Sequence, residues 1–212
     1  MAAAAGNSES APSPRQIVHI VEDDELLRLS LMDLFQSLEI PADGFESAAD
    51  FFARASCEHG GCILLDVRLP DVSGIDFQRE LDANGYQLPV VFMTGHGDVA
   101  TSVHAMKAGA IDFLQKPLNP YELLDAINAA FAIDSERRKA RAHHQILRAR
   151  ASSLTPRETQ VMGLVASGLM NKQIAFELGI SEIMVKLHRG SVMRKMKAGS
   201  LAELVRQFEL LH

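Results

Sequence analysis

The chain has 212 residues, 47% hydrophobic and 23% charged, enough for one large or two modest folded domains and unlike a disordered or fibrous chain. Its net charge of −6 is split: residues 135–212 carry 14 Lys+Arg against 6 Asp+Glu, whereas residues 1–134 carry 7 against 21. That asymmetry predicts two domains with different partners, the basic one suited to a polyanion, and no run approaches the ~18 apolar residues of a membrane span.

The opening MAAAAGNSESAPSPR lacks the basic start and sustained apolar core of a signal peptide, and residues 1–15 read as a disordered arm. From residue 16 onward, strand-like and helix-like segments alternate. Ile17–Val21 predicts a strand, residues 26–38 a helix, residues 41–45 a short second strand and residues 48–55 a second helix. The unbroken apolar run Cys62-Ile63-Leu64-Leu65 predicts a strand buried on both faces, as in a parallel sheet. Residues 88–93 and 111–114 add a fourth and a fifth strand, with helical patterns over 76–81, 99–108 and 121–131. Such alternation implies a doubly wound parallel sheet with helices on both faces. The two cysteines, Cys57 and Cys62, match no disulfide framework or zinc spacing, which fits a reducing cytoplasm.

Ligands of such sheets bind at the carboxyl ends of the strands. There the first strand carries Glu22-Asp23-Asp24, the third Asp66, the fourth Thr94 and the fifth Lys116-Pro117. A loop cap accounts for Asp66 alone but not for the set. Clustered carboxylates repel one another and need a cation, and oxygen-only ligands favour a hard ion such as Mg²⁺. A hydroxyl and a lysine beside that ion suit the oxygens of an incoming phosphoryl group, with Asp66 as nucleophile.

Four segments, VEDD (21–24), LLDVRLPDVSG (64–74), FMTGHGD (92–98) and KAGAIDFLQKP (107–117), give residues 17–131 a strong resemblance to the receiver domain of two-component response regulators. The resemblance implies a flavodoxin-like fold with Asp66 as phosphoacceptor. It makes Asp23 a direct Mg²⁺ ligand, Glu22 a ligand through water, and the Arg68 backbone carbonyl a further ligand. Thr94 and Lys116 would contact the phosphoryl group, and Thr94 and Phe113 would form the switch. The Lys116-Pro117 bond is usually cis in this family. Asp24 reads as a solvated neighbour or the start of the helix, and His19 as a packed core residue. Arg68 and His96 lie where the family adjusts the lifetime of the phosphoryl group, or are simply solvent-facing loop side chains.

Residues 135–153, SERRKARAHHQILRARASS, contain no Gly or Pro and predict either a continuation of the preceding helix or a semi-rigid helical spacer. The last domain opens at Leu154. Thr155, Pro156 and Glu158 make a capping box with proline at the first helical position. Helices follow to Ala166, over NKQIAFEL, from Ser181 onward and over LAELVRQFELL, the middle pair joined as a helix-turn-helix. On the third helix Val185, His188, Val192 and Met196 form a core stripe, while Ile183, Lys186, Leu187, Gly190 and Arg194 face outward, flanked by Arg189, Lys195 and Lys197.

The run from Leu154 to Val205 resembles the LuxR-type four-helix output domain, and with the receiver it points to the NarL/FixJ subfamily, on the FixJ side. The resemblance puts base readers at Lys186, Leu187 and Gly190. By the helix faces, Arg189, Lys195 and Lys197 carry charge suited to phosphates, and Arg194 of the outward stripe joins Arg189 and Lys195 in the expected DNA-binding set. Ile183-Met184 stands where the family usually has Arg-Thr, which removes a phosphate anchor and a hydroxyl donor. The predicted organisation is an arm (1–15), a receiver (16–134), a helical linker (135–152) and a helix-turn-helix domain (153–212). The implied protein is a cytoplasmic regulator whose partners are a histidine kinase, promoter DNA, a second copy when phosphorylated, and RNA polymerase. Two other readings are a phosphorylation-regulated adaptor with a silent DNA face and a Mg²⁺-dependent phosphatase. Arg68 disfavours the phosphatase, because such enzymes usually place an acid two residues after the nucleophile.

Overall fold

The computed structural model describes residues 16–56, 59–70, 72–95 and 110–211. The N-terminal arm, Cys57, His96 and the helix expected over 99–108 lie outside the described residues. The chain divides into two compact units, Met1–Arg138 and Lys139–His212.

In the first unit, strands β1 (Ile17–Val21), β2 (Ala42–Phe45), β3 (Gly61–Asp66), β4 (Val90–Thr94) and β5 (Asp112–Gln115) form one sheet in the order β2-β1-β3-β4-β5. Every pairing is parallel. Helices α1 (Glu25–Ser37), α2 (Ala48–Arg54) and α3 (Gly74–Ala83) return the chain between strands. Alternate residues of the strands feed two separate cores. Val21, Ile63, Leu65, Val90 and Phe92 meet Phe51, Phe77 and Leu81 of α2 and α3 on one face. Val18, Ile20, Leu64, Val91 and Leu114 meet Leu31 and Phe35 of α1 on the other, together with Leu123, Ile127 and Ala130 of the helix after β5. This two-sided burial is why β3 reads as a continuous apolar run.

Helix starts are set locally: Asp24 caps α1 by accepting from the amides of Leu26 (2.9 Å) and Leu27 (3.1 Å), and Ser47 and Ser73 cap α2 and α3. His19 is fully buried, as expected, against the rings of Phe45 and Phe51. Burial depresses its pKa, opposed only by the more distant charge of Asp43.

The helix after β5, α4, runs without a break from Pro120 to Ser152, so the basic linker continues it. In the second unit, Leu147 of α4 is buried, and α5 (Pro156–Ala166), α6 (Asn171–Leu178), α7 (Glu182–Met196) and α8 (Leu201–Leu211) follow. Their core is Val161, Met162, Val165, Ile174, Val185, Val192, Met196 and Leu204. The turn between α6 and α7 uses Gly179 at φ 64°, a left-handed conformation in which glycine carries no Cβ penalty. Ser181 then caps α7 by accepting from the amide of Met184 at 3.3 Å.

Candidate functional site

Strand order reverses between β1 and β3, and the carboxyl ends of these neighbours are where a doubly wound sheet binds its ligand. The loop after β1 delivers Glu22 and Asp23, and β3 ends on Asp66. Oxygens of these three carboxylates lie within 4.8 Å of one another. Glu22 and Asp66 are buried and Asp23 is exposed, which leaves the cluster one open side. Lys116, at the end of β5, places its Nζ 2.6 Å from both Glu22 Oε2 and Asp66 Oδ2. The other Asp66 oxygen accepts from the Arg68 amide at 3.0 Å.

Burial, reinforced by the charge of Asp66, pushes the Glu22 carboxyl up to about 7 against the opposing pull of Lys116. Burial lowers the Lys116 pKa, but its bonds to Asp66 and Glu22 outweigh that, and the ammonium is held charged. Three acids facing one lysine leave the cluster short of positive charge. An all-oxygen donor set with an open side fits a hard divalent cation such as Mg²⁺.

Thr94 is buried at the end of β4, and its carbonyl accepts from the Lys116 amide at 2.7 Å, which fixes the two strand ends together. Phe113 is half-buried against Phe92, with ring centroids 6.5 Å apart. The Lys116-Pro117 peptide is cis, matching the resemblance. One contributor is not legible in the motifs. Arg28, one turn into α1, donates to the carbonyls of Glu22 (2.6 Å) and Asp23 (3.3 Å) and so holds the acidic loop. An arginine five and six residues past the acids carries no sequence signal of that role.

In the second unit, α7 buries Val185, Val192 and Met196 and half-buries His188, as its periodicity predicts. Ile183, Lys186, Leu187, Gly190 and Arg194 are exposed. Arg189 and Lys195, expected to flank that stripe, are half-buried, and each has a partner within the unit. Arg189 donates to the Asn171 side chain at the start of α6. Lys195 is drawn to Glu158 Oε2 at 2.6 Å and to the Ser153 carbonyl at 3.0 Å. The reason is Glu158: its carboxylate closes the capping box with the Thr155 amide (2.7 Å), accepts from Ser191, and is only 7% exposed, so it needs a cation.

Lys195 first, then Ser191 and the Thr155 amide, hold the Glu158 carboxyl down at about 2. A depressed carboxyl adds stability above its unfolded pKa, and this is lost as pH falls through the folded value. Glu158→Gln is therefore expected to lower unfolding free energy by about 1–2 kcal/mol at pH 7, allowing for solvent screening at Lys195. Urea unfolding across pH should show the gap to the parent closing as pH falls from about 4.5 towards 2. A pH-independent gap would assign the loss to packing.

Residues 18–128 match the response regulator receiver domain, and residues 152–208 match the luxR family of bacterial regulatory proteins. Nodulation protein W of Bradyrhizobium diazoefficiens is 48% identical over 206 residues, covering 97% of this chain and 90% of that protein. The transcriptional regulatory protein FixJ of Azorhizobium caulinodans is 41% identical over 189 residues, covering 89% and 90%. Among solved structures, the response regulator StyR superposes with a TM-score of 0.80 at 45% identity, covering 92% of this chain and 98% of that one. An acid-lined switch point in the first unit and a helix-turn-helix in the second, each matched by its own family, make this chain a member of the response regulators with a LuxR-type DNA-binding domain.

Proposed function

We propose that this protein is a cytoplasmic transcription regulator switched by phosphorylation of Asp66. The observation that carries the proposal is the Glu22–Asp23–Asp66 cluster with Lys116 bound to two of its members. A histidine kinase supplies the phosphoryl group: the N–P bond of its phosphohistidine breaks, an O–P bond to an Asp66 carboxylate oxygen forms, and the imidazole leaves. Lys116 and the Thr94 hydroxyl stabilise the phosphoryl oxygens. Glu22, Asp23, Asp66 and the Arg68 carbonyl would hold Mg²⁺, which when bound shields the carboxylates from the incoming phosphoryl group. The chain is an acceptor and not a turnover enzyme.

Phosphorylation draws Thr94 and Phe113 towards the site and biases the receiver surface towards a homodimer. The dimer presents two α7 helices to a two-fold-related site on promoter DNA, where RNA polymerase is the further partner. Among the described residues no helix is long and apolar enough to cross a membrane.

The test is selection from random duplexes by the full chain, with and without beryllofluoride and Mg²⁺. The expected result is enrichment of a two-fold-symmetric site, stronger with the phosphoryl mimic. No enrichment from a folded chain that binds the mimic would replace this reading with the phosphorylation-regulated adaptor, which the exposed Ile183 and Leu187 would then serve.

A further inference from the structure

On α7, Ile183, Leu187 and Gly190 are spaced by four and three residues and so fall on one stripe of the helix, continued by Arg194. Ile183 is 71% exposed and Leu187 61%, and Gly190 is exposed with them. Single exposed apolar side chains are ordinary. Three apolar positions in line, beside the exposed cations Lys186 and Arg194, are not the pattern of a solvated helix face.

Nothing inside the domain accounts for Gly190. A Cβ built there meets no atom within 4 Å, and glycine destabilises a helix interior relative to alanine. A bare backbone on an outward face instead lets another surface come close. The flanking polar groups narrow the choice of reading chemistry further. Arg189 is committed to Asn171 and Lys195 to Glu158.

Among base edges in the major groove, the thymine C5-methyl is the one apolar feature; the other groups there are hydrogen-bond donors and acceptors. An isoleucine placed against those donors and acceptors would strip them of water without replacing it. We infer that Ile183 reads a thymine methyl group in each half of the target site, and that Gly190 lets α7 sit close enough to the bases for it to do so. The inference rests on the DNA-binding reading above.

The probe is the duplex recovered by the selection already described, with each thymine replaced in turn by uracil, which removes the methyl and keeps the pairing. At one position per half-site the full chain should bind about fourfold more weakly, the value of one buried methyl group, and about fifteenfold more weakly when both halves are changed. Ile183→Ala should weaken binding to the parent duplex and become indifferent to uracil at that position, the two losses being non-additive. Gly190→Ala should raise the melting temperature by roughly 2–5 °C. It should also weaken binding about tenfold or more, a loss on the scale of one base contact.

Uracil without effect at every position would overturn the inference while leaving DNA binding intact. So would Ile183→Ala that keeps full discrimination, or Gly190→Ala that binds as the parent does. Failure to recover any duplex would instead remove the DNA-binding reading, and the inference with it.

Discussion

Asp66→Asn is expected to accept no phosphoryl group from a phosphorylated kinase or from a small phosphodonor, while folding at least as well as the parent. The amide is isosteric and can still accept from the Arg68 amide, which lies 3.0 Å from Asp66 Oδ1. The change removes one of three carboxylates gathered within 4.8 Å, so repulsion falls, and Lys116 keeps Glu22 as a partner at 2.6 Å. Chemistry is lost because an amide oxygen carries no negative charge and is a poor nucleophile. Thermal unfolding with beryllofluoride and Mg²⁺ gives the readout. A ligand at a hundred times its Kd stabilises the parent by about 2.7 kcal/mol, and the variant should show no shift. A full shift in the variant would move the acceptor away from Asp66.

Among the described glycines of the first unit, Gly61→Ala should be the most damaging single methyl. Gly61 opens β3 at φ 155°, and an added Cβ would lie 1.9 Å from the carbonyl oxygen of Ile17, the residue that opens β1 and pairs with it. The obstacle is backbone on the adjacent strand, so no side-chain rotation relieves it. Separating β1 from β3 also separates Glu22 and Asp23 from Asp66. The expected loss is about 4 kcal/mol or more, a large share of a typical 5–15 kcal/mol stability. Gly85→Ala is the control: φ is 78°, nothing lies within 4 Å of the added atom, and the cost should stay near 1 kcal/mol. Urea unfolding of both variants separates the two effects, and equal costs would show that β1 can shift to accommodate the methyl.

The inner strands and their acidic end were legible because burial on two faces leaves little choice of residue. β1, β3 and β4 show as short, mostly apolar runs, whereas the edge strands β2 (ADGF) and β5 (DFLQ) do not, and polar residues stand where the strands stop, at Glu22-Asp23, Asp66, Thr94 and Lys116. Caps were equally legible, since Thr155 and Glu158 act over three residues of chain. Contacts set by tertiary packing were not. A helical wheel places Arg189 and Lys195 beside the outward stripe, but it does not show that Asn171 of α6 and Glu158 of α5 lie against those flanks. Arg28 shows the same gap from the other direction: its partners are backbone carbonyls, which leave no trace in side-chain identity.

The amide of Gly61 donates to Asp134 Oδ2 at 2.9 Å, a bond buried across 73 residues of chain, and the Gln16 side chain donates to the Phe131 carbonyl at 2.9 Å. Both ties reach beyond residue 128, where the matched receiver segment stops. A fragment cut at that point would keep all five strands and the whole acidic cluster. It would nevertheless release the first residue of the central strand from its partner and leave a buried donor unsatisfied, at a cost of about 1–3 kcal/mol. A piece of this protein that carries Asp66 and keeps both ties must therefore include Asp134 of α4, close to Arg138, where the first compact unit ends.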